Sequence, residues 1–136
     1  MSAAAFRLDG RVALVTGAGG GLGEGLCSAL AEAGAAIACV DLIEERSEAR
    51  AAQVRAAGGR AVAITADVAN GASVAAMAGR AVSELGRIDI LVNNAGIYPS
   101  RPWTEVDEAE WDAVQSVNVK GYFLCARACH EALRAS

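Results

Sequence analysis

A chain of 136 residues that is 54% hydrophobic is long enough to bury one core, but none of its apolar runs approaches the ~18 residues needed to span a membrane. Its formal net charge of −4 offers no broad cationic surface for a phosphate backbone, which sets nucleic acid aside as a partner. Arg7 and Asp9 fall where a signal peptide needs an apolar centre, so a cytoplasmic protein is expected, with Cys27, Cys39, Cys125 and Cys129 as free thiols.

The apolar run at residues 11–16 ends in a glycine cluster and reads as a buried strand. Leu22, Leu26, Ala29, Leu30 and Ala33 then recur at helical spacing, and Gly34 supplies a helix stop. Residues 35–40 form a second apolar run that ends at Asp41, and residues 44–57, rich in Ala, Glu and Arg, predict a helix closing at Gly58 and Gly59. A third strand is expected over residues 61–66. Asn70 is the predicted N-cap of a helix whose Val74, Met77, Ala78, Ala81, Val82 and Leu85 form one apolar stripe before Gly86. Residues 88–92 predict a fourth strand, and residues 96–105, with Pro99 and Pro102, a loop. From Asp107 the pattern is helical to the C-terminus, with Val119, Phe123, Ala126, His130 and Leu133 on one face. Strands alternating with helices imply crossover units and a parallel sheet, hence an α/β fold in one domain over residues 1–136.

The densest chemical signal is Thr16-Gly17-Ala18-Gly19-Gly20-Gly21-Leu22-Gly23, set between the first strand and the first helix. There Gly17 allows a tight turn, Gly21 lets backbone approach a pyrophosphate, and Gly23 lets the helix pack close to the sheet. The helix start turns unpaired N–H groups and a partial positive charge toward that anion. No Lys-Ser or Lys-Thr pair follows, which excludes the nucleoside-triphosphate loop. Asp41 lies 18 residues beyond Gly23, near the roughly 20 expected of an acid that binds an adenosine ribose. Its carboxylate accepts from both ribose hydroxyls and repels a 2′-phosphate, favouring NAD over NADP; the other reading is a solvated turn acid before a helix. Arg46 could meet a phosphate, but its helical position favours a surface ion pair with the neighbouring glutamates.

With these pieces in place the chain resembles the short-chain dehydrogenase/reductase family along essentially its whole length. The glycine loop at residues 16–23, Asp67-Val68, Asn93-Asn94-Ala95-Gly96 and Asn118-Val119-Lys120-Gly121 match the family pattern in order. The resemblance implies a Rossmann-type doubly wound parallel sheet in the order 3-2-1-4, cut short after about four strands. It places Gly17, Gly19, Gly20, Gly21, Leu22, Gly23, Asp41 and Leu42 around NAD, with Asp67 on the adenine amino group and Val68 beside the ring. Asn93, Ala95 and Gly96 would lie along the riboses, Ile97 beside the cofactor, and Asn118 would be the family's catalytic asparagine, holding a relay water at a helix bend. Read without the family, Asp67 and Asn118 are caps or turn residues.

The family's catalytic Ser and its Tyr-x-x-x-Lys pair have no counterpart here. Tyr98 and Tyr122 are followed four residues on by Pro102 and Ala126, and Lys120 is the sole lysine. Two readings therefore stand: the cofactor-binding N-terminal part of an NAD-dependent oxidoreductase acting on a small alcohol or ketone, inactive alone, or a non-catalytic nucleotide-binding or interaction protein on the same scaffold. A methyltransferase is disfavoured by Asn93 to Gly96. An unpaired edge at residues 88–92 and the apolar Phe123, Leu124 and Leu133 suggest a homo-oligomer. Cys125, Cys129 and His130 lack further ligands and are not read as a metal site. Trp103 and Trp111 could line a pocket, though packing that holds the loop down is the favoured reading; Glu105, Asp107, Glu108 and Glu110 read as an acidic helix start, and the resemblance places Tyr98 where the family lines its substrate cleft.

Overall fold

Four apolar runs pair side by side and all in parallel: β1 (Val12–Thr16), β2 (Ala36–Asp41), β3 (Ala61–Thr65) and β4 (Ile90–Val92). The order is β3-β2-β1-β4, with Leu14 opposite Ala38 on one side and Leu91 on the other. The computed structural model describes residues 6–136; residues 1–5, where the stretch read for an export signal begins, lie outside the described residues.

A parallel sheet reached by crossovers has helices on both faces, so its central strands are apolar throughout. β1 shows the consequence directly. Ala13 and Val15 pack with Cys27 of α1 (Gly21–Glu32) and with Ala51 and Val54 of α2 (Glu44–Ala56). Val12 and Leu14 pack on the opposite side with Val74 and Met77 of α3 (Gly71–Leu85) and with Leu124 and Cys125 of a C-terminal helix. Asn70 caps α3 as expected, its side chain accepting the Ser73 N–H at 3.0 Å, and Gly86 ends it in the left-handed conformation.

Several expectations change. Val82 is 38% exposed, because the buried stripe of α3 runs through Val74, Met77, Ala78, Ala81 and Leu85. The expected strand at residues 88–92 pairs only from Ile90: Ile88 is enclosed in the core, and the Asp89 carboxylate takes the Val12 N–H at 2.8 Å in place of a ladder carbonyl. The helix expected from Asp107 is three pieces, α4 (Glu108–Gln115), a π-helical turn (Ser116–Lys120) and α5 (Gly121–Arg134). Asp107 caps α4 through the Glu110 N–H at 2.8 Å.

Of the residues placed on one face of the C-terminal helix, Val119, Phe123, Ala126 and His130 point outward and Leu133 packs partly buried against the core, while Gly121, Leu124, Cys125 and Cys129 are buried. At Gly121 the approach is close: a Cβ there would lie 3.0 Å from Cγ2 of Val68. Trp103 and Trp111 do not pack inward either; they are 85% and 60% exposed. His130 stands outside with Nδ1 3.0 Å from Glu131, and among the described residues no group of three side chains is arranged to hold a metal. All four cysteines are free and buried; burial pushes the Cys125 and Cys129 thiols up to about 11, which keeps them unreactive. No described helix is long and apolar enough to cross a membrane.

Asp89 ties the starts of β1 and β4 together, and its side chain is only 4% exposed. Burial by itself would raise its carboxyl, but hydrogen bonds from Arg87, Arg11 and the Val12 N–H outweigh that and hold it at about 2. A folded-state value below the unfolded one stabilises the fold above the unfolded value, and the benefit is lost as pH falls toward about 2. With Arg11 and Arg87 half in solvent, the contribution is discounted to about 1–2 kcal/mol. Chemical denaturation between pH 7 and pH 2 is expected to show this loss in the wild type, and a flatter profile of lower plateau in Asp89→Asn.

Candidate functional site

At the C-terminal ends of the strands the chain leaves β1 toward β2 on one side and is met by β4 on the other, which opens a crevice at the point where strand order reverses. The two lips are fastened by Thr16 and Asn94. The Thr16 hydroxyl accepts the N–H groups of Asn94 and Ala95, both at 3.1 Å, and donates to the Val92 carbonyl at 3.3 Å. The Asn94 amide returns two bonds, to the carbonyls of Thr16 at 3.1 Å and Gly17 at 3.0 Å. Neither residue was singled out in the sequence for a role of its own, although both stand inside the matched motifs.

Between β1 and α1 the glycine loop folds on itself. Gly17 has φ +64°, and a Cβ there would lie 2.8 Å from Cα of Ala95, so both conformation and space demand glycine. Helix α1 starts at Gly21 after the N-cap Gly20, leaving the N–H groups of its first turn without intrahelical partners. Space around Gly21 is open, as a close-lying pyrophosphate needs. Gly23 differs from expectation in its reason: a Cβ there would run into the carbonyl oxygens of Gly17 and Ala18, so it allows the helix to seat against its own loop rather than the sheet.

The crevice encloses about 490 Å³, within the range of small-molecule sites. Gly17, Gly20, Gly21, Leu22, Gly23, Asp41, Leu42, Asp67, Val68, Ala95, Gly96 and Ile97 all line it, as do Arg46, Asn94 and Tyr98. Gly19, Asn93 and Asn118 do not. Gly19 turns away, its N–H given to Asp41 Oδ2 at 3.0 Å. Asn93 sends its amide toward the Tyr122 carbonyl at 3.4 Å and keeps a buried Oδ1 with no partner. Asn118, in the π-helical turn, is paired twice with Ile97, accepting its N–H at 2.9 Å and donating to its carbonyl at 2.7 Å. Its side chain thereby anchors the loop that follows Gly96.

Asp41 is 8% exposed, and its two oxygens accept the N–H groups of Gly19 at 3.0 Å and Ile43 at 3.1 Å. Two donors fix the plane of the carboxylate while leaving lone pairs free to accept more. Asp67 is a turn residue as well as a lining one, accepting the Ala69 N–H at 2.9 Å. Arg46 makes no ion pair among the described residues, contrary to the surface pairing expected of it; it stands at the crevice instead. Leu22 and Tyr98 expose 80% and 87% of their surface at the same rim. These features fit an elongated ligand with an anionic centre and a hydroxyl-bearing end.

Comparison with known proteins agrees with this geometry. Residues 11–136 match the short chain dehydrogenase family. The chain is 48% identical to a D-threitol dehydrogenase of Mycolicibacterium smegmatis, covering 90% of this chain and 47% of that protein. It is 41% identical to a 2-dehydro-3-deoxy-D-gluconate 5-dehydrogenase of Escherichia coli, covering 94% and 50%. A dehydrogenase/reductase from Sinorhizobium meliloti superimposes with a TM-score of 0.90 at 37% identity, over 96% of this chain and 52% of that one. The chain spans about half the length of the curated relatives it matches.

Asn94→Ala removes a donor from the carbonyl of the fully buried Thr16 and one of two donors from that of Gly17, which keeps the Gly20 N–H, and is expected to cost about 1–3 kcal/mol. Urea denaturation checks this: the midpoint falls while the slope stays unchanged.

Proposed function

The chain belongs to the short-chain dehydrogenase family, and from that premise we propose that its crevice binds NAD(H) in preference to NADP(H) and serves hydride transfer between the nicotinamide and the reacting carbon of an alcohol or ketone. The observation that carries the reading is Asp41, a buried carboxylate on the crevice wall with its plane fixed by two backbone N–H groups. Such a group accepts hydrogen bonds from both hydroxyls of an adenosine ribose and repels a phosphate placed there. The first turn of α1 would face the pyrophosphate, Asp67 and Val68 the adenine, and Asn93, Ala95, Gly96 and Ile97 the ribose and nicotinamide side. When bound, the nicotinamide supplies the hydride-transfer chemistry. Asn118, which holds the loop at Ile97, is assigned to the proton relay at the helix bend. Arg46 stands at the rim without an acidic partner, and Asp41, on the crevice wall itself, is assigned the larger share of the choice between the two nucleotides. The same reading takes the protein as a cytoplasmic homo-oligomer, for which the outward Val119 and Phe123 of the α5 region offer apolar surface.

Two measurements test it. Charge-assisted hydrogen bonds of the kind assigned to Asp41 are worth about 1.5–3 kcal/mol, or roughly one to two decades of affinity. Titration calorimetry is expected to show NAD bound more tightly than NADP, ADP-ribose nearly as tightly as NAD, and a loss of that size in Asp41→Ala. An unchanged affinity in Asp41→Ala, or a preference for NADP, refutes the assignment.

These 136 residues hold Asn118 of the family's catalytic set and neither its Ser nor its Tyr-x-x-x-Lys pair. General acid/base catalysis contributes about 10² to 10⁴ in rate. Assayed by themselves at verified mass, they are expected to bind NAD and to leave a panel of ketones and alcohols unchanged by NADH absorbance. Turnover lost in Tyr98→Phe or Tyr122→Phe would instead reveal a different proton donor.

A further inference from the structure

Arg50 is out of place by the usual rule. It sits in the middle of α2 with only 8% of its surface exposed, and its one acidic partner, Glu24 at 3.3 Å, is itself 55% exposed. Enclosing a guanidinium is unfavourable unless its donors are satisfied, and an apolar side chain would fill the same space at less cost. Its donors show what it holds. Nε bonds the Ala18 carbonyl at 3.0 Å, one terminal nitrogen reaches Glu24 in the first turn of α1, and the other meets Gln53.

The bond to Ala18 bears on Asp41 through one peptide unit. A trans peptide is planar, with its C=O and N–H pointing in opposite directions. Arg50 grips the oxygen of the Ala18–Gly19 peptide from behind, and the N–H of the same peptide donates to Asp41 Oδ2 at 3.0 Å on the crevice side. Ala18 is held further by its own N–H, which donates to the Val40 carbonyl at 2.9 Å. A cation on one end of a peptide and a carboxylate on the other polarise it in the same sense, which strengthens both hydrogen bonds. Nothing larger than hydrogen fits at residue 19, where a Cβ would lie 2.9 Å from Asp41 Oδ2.

We propose that Arg50, which does not line the crevice, is a positioning residue for nucleotide recognition: through the Ala18–Gly19 peptide it sets the orientation and acceptor strength of Asp41, and through Glu24 it ties that setting to the start of α1. The inference rests on the NAD reading of the crevice and deepens it. Preference for the unphosphorylated ribose then depends on a side chain that never touches the nucleotide.

The test is calorimetry with NAD and NADP on the wild type, Arg50→Met, Asp41→Asn and the double variant, together with amide exchange at Gly19 in nucleotide-free protein. Arg50→Met is expected to shrink the preference for NAD about tenfold, the size of one charge-assisted hydrogen bond, and to speed exchange of the Gly19 N–H. In the Asp41→Asn background the same change is expected to move the preference no further. Should Arg50→Met fail to fold, Arg50→Lys keeps a cation but loses the planar fork, and it must show the same faster exchange and reduced preference. Equal losses for both nucleotides, or a Gly19 N–H unaffected by either substitution, would overturn the role of Arg50. Asp41→Asn with its NAD preference intact would overturn the nucleotide reading and this inference together, whereas a preference erased there and kept in both Arg50 variants would sink Arg50 alone.

Discussion

The Thr16 hydroxyl sits where two requirements meet. β1 is enclosed on both faces, so its backbone must find every partner within the sheet, yet at its end the chain has to part from β4 to open a crevice. Thr16 resolves this by accepting two N–H groups from Asn94 and Ala95 while donating to Val92, replacing the ladder where the ladder stops. Asn94 closes the arrangement from the other strand. The glycine loop, the Ala95–Gly96 wall and the start of α1 all take their places from this junction, because each follows directly from one of the two fastened ends.

Much of the architecture follows from periodicity alone. Runs such as Val12 to Thr16 are apolar without alternation, and they proved to be strands with helices on both faces. The signal fails where two faces of one helix are both apolar. In α5 the spacing put Phe123 and Leu133 on one face; Phe123 lies outside and Leu133 partly inside, while Leu124, the cysteines and Gly121, where a side chain would meet Val68, take the core side. The closeness of Val68 is a tertiary property, invisible in spacing. The π-helical turn before it adds a second reason, since one extra residue per turn shifts the phase of everything that follows. Ile88 is a milder case: it is as apolar and enclosed as a strand residue, but the strand starts at Ile90, and at Asp89 a side-chain carboxylate accepts the Val12 N–H while the Asp89 N–H donates to the Val12 carbonyl.

The candidate site was legible to the extent that backbone shape demands particular residues. Gly17 and Gly23 are written in the chain because nothing else fits, and Asp41 because of its place at a strand end. What stayed hidden are contacts made by side chains from distant segments. Gly19 stands in the glycine loop and gives its N–H to Asp41; Arg50, one of several arginines on a polar helix, reaches the loop 32 positions earlier. Arg46 shares that helix and, through a different heading, ends at the crevice. Helical propensity reports none of these differences.

The buried polar residues, Thr16, Asp41, Ser47 and Arg50, gather around the C-terminal ends of β1 and β2 and the helix that packs behind them. Among the described residues the rest of the enclosed interior is apolar apart from the Asp89 carboxylate, which ties the opposite ends of β1 and β4 through Arg11, Arg87 and the Val12 N–H. A fold built only for stability would place hydrocarbon at such positions, since each enclosed polar group adds a desolvation cost that hydrogen bonding does little more than offset. Local rules are broken where function asks for it. Asn93 stands at the same end of the sheet with an enclosed Oδ1 that has no partner among the described residues, beside Asn94 and Ala95, whose polar groups are paired with Thr16 and Gly17. At the C-terminal ends of the strands, polar groups are thus placed for contacts that the strands themselves do not supply.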